Sequence, residues 1–204
     1  MPVSIFVPLA RLTDPADTTR QQEFDSLHRA PLIIDVAHHE IHEGDAFLSG
    51  HADTSMNNGA TIILAFKTPP GTKRIHMLYE FSTLAGGHLD IYKDSTWNAS
   101  TGTLLPVYNH KQMDTPDSSA MLEDQSTGSF IANDNIILDP VNHSAGTQVI
   151  PTKFAFGAQL ISAESRAVAE ILLEVDTLHS FVFTADGNSN AGQLLLNWYE
   201  HTDS

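Results

Sequence analysis

The chain has 204 residues, 41% of them hydrophobic and 17% charged, enough apolar material for a sizeable core and too much for a disordered acidic chain. Ten Lys+Arg stand against 25 Asp+Glu, a net charge of −15, which excludes phosphate-led binding of nucleic acid and disfavours an anionic membrane surface. Cysteine is absent, so disulfides, thiolate-ligated zinc and a cysteine nucleophile are excluded as well.

The start, MPVSIFVPLARLTDPAD, has neither a basic opening nor a long apolar run, so no signal peptide is expected. No segment approaches the roughly 18 apolar residues of a membrane helix. The expectation is a soluble protein of a reducing cytoplasm, or of a particle assembled there. Ser4–Leu12 (SIFVPLARL) reads as a short apolar strand or an extended arm. TDPADTTRQQEFDSLHRAP then carries helix signals: Thr13 or Asp14 as N-cap, Pro15 at the first helical position, a narrow stripe of Phe24 and Leu27, and Pro31 as the stop. Residues 1–30 are therefore expected to form an N-terminal arm with one short helix, and residues 31–204 a β domain.

From Leu32 the hydrophobic period changes to two. LIIDVAHHEIHEG opens with β-branched residues, and ATIILAFKT (Ala60–Thr68) is a strong strand ended by a Pro-Pro-Gly turn at 69–71. KRIHMLYEFST (Lys73–Thr83) alternates polar and apolar residues, and HLDIYKD (His88–Asp94) follows a Gly-Gly turn. TLLPVYNH (Thr103–His110) is a further strand, with Pro106 arguing for an edge or a bulge. A weakly patterned stretch around residues 112–147 reads as a long loop carrying one short strand, FIANDNIIL. RAVAEILLEV, HSFVFTAD and AGQLLLNWYEH come last, separated by DTL and DGNSN, and read as a meander of three antiparallel strands. The fold class expected is all-β: an antiparallel β-sandwich or jelly roll with an N-terminal arm and one short helix.

The stretch most suggestive of chemistry is AHHEIHEGDAFLSGH (Ala37–His51), with His38, His39, His42 and His51. On a helix His38 and His42, or His39 and His42, would share a ligand face. Ile33–Val36 lead in as a strand, however, and Gly44 with Asp45 closes it as a turn. On a strand His38, Glu40 and His42 share one face, with the two histidines too far apart to chelate one ion without a partner strand. Cupin metalloenzymes use His-x-His, then an acid and a distant His. This segment has His-His-x-x-His, so a metal enzyme built on His38, His39 and His42, with His51 or His76, is the alternative rather than the expectation. The favoured reading has these histidines bonded to neighbouring carboxylates at a corner or subunit contact, with no metal and no cofactor.

Other motifs are weaker. DGNSNAG (Asp186–Gly192) has the Asp-x-Asn-x-Asn opening of a calcium loop but Ala191 at the sixth place and Asn197 at the twelfth, so an Asx-rich hairpin loop is expected. No Gly-x-Ser-x-Gly elbow exists, and nothing pairs two carboxylates for glycoside hydrolysis. Trp97 and Trp198 would be the stacking residues if the domain were a glycan-binding jelly-roll module.

IIDVAHHEIHEGDAF, ATIILAFKT, KRIHMLYEFST and the terminal LNWYEHTD together resemble a family of tailed-bacteriophage head auxiliary proteins, from about Leu32 to Ser204 with the middle loop variable. The resemblance implies a sandwich or jelly roll that sits on the outside of the capsid as a decoration or cement protein, made in the host cytoplasm and without enzymatic activity. It implies the major capsid protein as partner and a homo-oligomer, a trimer being favoured by threefold lattice positions. The capsid or subunit contacts expected on this basis are Ile5, Phe6, Val7, Leu9 and Leu12 of the arm, and the long loop. Neither nucleic acid nor a membrane is an expected partner.

Overall fold

The computed structural model describes residues 23–24, 31–32, 44–98, 101–111, 135–157, 159–162 and 170–202. The chain divides into two units, Met1–Val36 and Ala37–Asp203. In the first, β1 (Glu23–Phe24) pairs antiparallel with β2 (Pro31–Leu32), Glu23 opposite Leu32 and Phe24 opposite Pro31. Most of the expected helix lies outside the described residues, but Glu23 and Phe24, which were to belong to it, are extended and paired. A stripe of two apolar residues gives a helix little to bury, and short helices are marginal without packing. The arm residues Ile5, Phe6, Val7, Leu9 and Leu12 lie outside the described residues, as do His38, His39 and His42.

The second unit is all-β among its described residues. Its strands are β3 (Ala46–Met56), β4 (Thr61–Lys67), β5 (Lys73–Thr83), β6 (Gly87–Lys93), β7 (Thr103–Pro106), β8 (Tyr108–Asn109), β9 (Asn135–Leu138), β10 (Thr147–Gln148), β11 (Lys153–Ala155), β12 (Gln159–Ser162), β13 (Ile171–Leu172), β14 (Leu178–Ala185) and β15 (Asn190–Thr202). They form two antiparallel sheets. One runs β10-β6-β14-β4-β9-β7, with β11 also on β6; the other runs β12-β5-β15-β3-β8, with β13 also on β5. Successive long strands change sheet: β3, β5 and β15 lie in the second, β4, β6 and β14 in the first.

The strong alternating segments became strands where expected. Lys73–Thr83 is β5, with Ile75, Met77, Tyr79 and Phe81 buried on its inner face. Leu194, Leu196 and Trp198 of β15 lie beside them, and Leu64, Phe66, Leu89, Ile91, Phe181 and Phe183 face them from the other sheet. Tyr79 meets Phe181 at 6.2 Å between ring centroids and Phe81 meets Phe183 at 5.9 Å, so the two sheets share one core. Each fully buried side chain of this size contributes roughly 1.5–3 kcal/mol. The stretch Thr103–His110 splits at Val107 into two edge strands, β7 ending at Pro106 and β8 on the other sheet.

The closing meander is not formed. β14 lies between β4 and β6 in one sheet, whereas β13 and β15 both pair with β5 in the other. Nearness in sequence favours pairing but does not impose it. Here the short connectors cross the gap of about 10 Å between layers, and Asp176 (φ 54°) and Ser189 (φ 53°) supply left-handed turns for the crossing. The long loop carries β9, inside the FIANDNIIL stretch, and β10 near its end; residues 112–134 lie outside the described set. Among the described residues no helix is long and apolar enough to cross a membrane.

Both tryptophans are covered. Trp198 is 2% exposed and stacks on Phe47 at 5.8 Å, and Trp97 packs on Ala65 and Ile137. Neither offers a face to a glycan, which corrects that expectation: alternation in LLLNWYE turns Trp198 inward, and the segment before β7 lays Trp97 on the sheet.

Candidate functional site

The outer face of the six-stranded sheet gathers the titratable residues of the two most distinctive strands. β5 and β15 pair with His76 opposite Tyr199 and Arg74 opposite His201, which puts His76 and Tyr199 on one face, His201 being two residues along from Tyr199. β13 adds itself to the free side of β5 with Leu172 opposite His76, and this brings Glu170, just before it, over the same face.

The rings pack closely. His76 stacks on Tyr199 with centroids 4.6 Å apart and planes 13° from parallel, and His201 lies 4.6 Å from His76 on a tilted plane. One carboxylate oxygen of Glu170 bonds His76 Nδ1 and also accepts from the Tyr199 hydroxyl at 2.7 Å. Nε2 of His76 is buried and has no hydrogen-bond partner among the described residues. Chemically this is an imidazole whose tautomer and orientation are set by a carboxylate, itself fixed by a phenol. The same bonds fasten the 170–172 segment to the sheet, since two residues of β13 make few ladder bonds of their own.

The inner side of the same motif is structural. Glu200, between Tyr199 and His201, points into the core, where its carboxylate accepts from Trp198 Nε1 at 3.2 Å and from Lys73 Nζ at 3.4 Å. Lys73 also donates to Asp45 at 3.1 Å. Desolvation pulls the Lys73 ammonium down, but the bond to Asp45 and the charges of Glu200 and Asp45 outweigh it and leave the group above its ordinary value.

The residues of the metal alternative are not brought together where they are described. His51 on β3 stands opposite Leu194 and so shares the inner face, whereas His76 stands opposite Tyr199 on the outer one. A sheet lies between them. Among the described residues no group of three or more His, Asp or Glu is placed to hold one metal ion. In the calcium-like stretch the side chains are otherwise engaged: Asp186 Oδ1 is 2.8 Å from His88 Nδ1, Asn188 accepts from the Asn58 amide at 3.0 Å, and Asn190 is buried among backbone groups. The Asx-rich loop exists, but it links two sheets rather than closing a hairpin.

Tyr199 and His201 escaped the sequence reading although their i, i+2 spacing in WYEHT puts them on one strand face. Glu170 left no signal, because its role depends on β13 docking beside a strand almost one hundred residues earlier. The chain matches no protein-family model, no curated protein and no solved structure.

Proposed function

We propose that the chain is a structural virion protein that decorates and stabilises the outside of a tailed-phage capsid, without catalysing a reaction. The observation that carries this reading is the position of the family-like stretches. KRIHMLYEFST is β5 and LNWYEHTD is the end of β15, and they are direct neighbours from Lys73↔Thr202 to Thr83↔Gly192. Their distinctive residues are spent on holding the sheet: Trp198 and Glu200 inward, Tyr199 against His76 outward. Signature residues buried in the frame suit a protein selected for shape and endurance.

The strand order β12-β5-β15-β3 in one sheet and β6-β14-β4 in the other, with β3, β4, β5 and β6 alternating between them through short connectors, is compatible with a jelly roll. That architecture serves viral shells, lectins and cupins alike, so it is compatible with decoration without deciding it. A net charge of −15 keeps copies soluble and suits docking on a basic or mixed surface. The partner is the major capsid protein, and the copies act as a homo-oligomer, a trimer on a threefold position. Arm residues Ile5, Phe6, Val7, Leu9 and Leu12 make the capsid-facing contact, and many weak contacts of this kind sum to a strong clamp.

The test is native mass followed by co-sedimentation with shells assembled from tailed-phage major capsid protein. Saturable binding by a closed oligomer, weakened when Phe6 and Leu9 are both changed to Ser, is the expected result. A chain that does not bind such shells, and that purifies with one transition-metal ion per copy and turns over a substrate, would instead establish the cupin-like alternative.

A further inference from the structure

The seven-stranded sheet carries a second cluster, away from the His76 face. β11 pairs with β6 so that Phe154 stands opposite His88. His88, Asp90 and Tyr92 alternate with the buried Leu89 and Ile91 and therefore share the outer face. Phe154 is 52% exposed and Phe156, two residues on, is 75% exposed. Their rings lie 6.1 Å apart with planes only 12° from parallel, and His88 flanks Phe154 at 5.6 Å. Two large aromatic rings held side by side at a surface are a costly feature for a soluble chain and mark a contact site.

What surrounds the rings identifies the ligand class. Asp90 is fixed by Gln148 Nε2 at 3.0 Å and Thr152 Oγ1 at 2.6 Å, and Asp186 by His88 Nδ1 at 2.8 Å. A row of oriented carboxylates, an amide, a hydroxyl and an imidazole thus borders the apolar rings. This pattern suits a molecule with apolar C–H faces and hydroxyl rims, which is a pyranose. Two carboxylates here, on a chain of net charge −15, disfavour anions, so neutral sugars are preferred over uronic acids, sialic acids and phosphates. We infer that the outer edge of the seven-stranded sheet, centred on Phe154 and Phe156, is a binding site for neutral glycans. This goes beyond decoration and does not depend on it.

Saturation-transfer NMR on the full chain tests it, with neutral malto-, cello- and galacto-oligosaccharides and trigalacturonate as the anionic probe. Transfer to the ring protons of at least one neutral sugar is expected, with roughly tenfold weaker binding in Phe154→Ala and in Phe156→Ala. Phe154→Tyr should retain binding, and so should Leu104→Ala, a change at an exposed residue of β7. Circular dichroism and a melting curve establish that each variant is folded. The inference is overturned by transfer from none of the neutral sugars, by preference for trigalacturonate, or by transfer indifferent to both alanine changes. A Phe154-dependent rise in native mass with concentration, in place of sugar binding, would assign the rings to a second copy of this chain and overturn it too.

Discussion

Asn190 sits buried at the start of β15, and its amide is used from both ends. Its Oδ1 accepts from the backbone amides of Leu84 at 3.1 Å, Ala85 at 2.7 Å and Ala191 at 2.9 Å, while its Nδ2 donates to the Gly86 carbonyl at 2.7 Å. One side chain thereby satisfies the turn that carries β5 of one sheet into β6 of the other, where Gly86 takes a φ of 102°. Backbone groups in such a tight turn cannot all bond one another, and leaving them buried and unpaired is more costly than the bonds are individually worth. Asn190→Ala is expected to destabilise the fold by about 2–4 kcal/mol, read from urea unfolding. Asn190→Asp restores the acceptor but removes the donor to Gly86 and buries a charge, so it recovers only part. A loss below about 0.5 kcal/mol in the alanine variant would mean that water replaces the side chain and that the turn stands without it.

At the scale of strands, two glycines make room for one ring. A Cβ on Gly192 of β15 would meet the ring of Phe183 and, at 2.8 Å, the sulfur of Met56; a Cβ on Gly87 of β6 would meet the same ring at 2.6 Å. Phe183 thus packs against a bare stretch of backbone in each sheet and sets how closely the layers approach at this end. Gly192→Ala is expected to cost about 1–3 kcal/mol through overpacking. In a Phe183→Leu background the same change should cost at least about 1 kcal/mol less, because the ring it strikes is gone. Additive losses in that double-mutant cycle would show that Gly192 is needed for backbone reasons instead. This element also shows what the sequence could reveal. β4, β5 and β6 were legible because alternation of apolar residues is a local property. β3 was not, since Ser49, Gly50, His51 and Asp53 break its alternation, although the strand sits beside the central β15. The pairing of β14 was misread for a related reason: HSFVFTAD has the same inward pattern whichever sheet receives it, and only the whole winding decides. The His76–Glu170–Tyr199 group was out of reach, since Glu170 joins the paired His76 and Tyr199 only after β13 docks.

For the molecule as a whole, acid acts in two opposing ways. Moving from pH 7 toward the pI of about 4.9 removes negative charge and relieves self-repulsion, which stabilises the folded state. His179 works against this. It is 1% exposed beside Phe66, and desolvation lowers its pKa below the ordinary 6.5, more strongly than bonding to Glu174 and Tyr92 and the nearby charges of Asp94 and Glu174 raise it. His143 is lowered by desolvation as well. Below about 6.5 the unfolded chain binds protons that the folded chain refuses, so the stability from neutral His179 is complete above that pH and lost as pH falls toward the depressed folded value. Each such group sets a limiting slope of about 1.4 kcal/mol per pH unit. Salt separates the two effects, because it screens surface repulsion and leaves a buried imidazole almost untouched. In about 0.5 M salt, urea midpoints should therefore fall between pH 7 and pH 5, more steeply than at low salt. His179→Gln should flatten that fall whatever it does to stability at pH 8. Parallel profiles for the variant and the parent would place the acid response in surface carboxylates, not in the histidine held between the sheets.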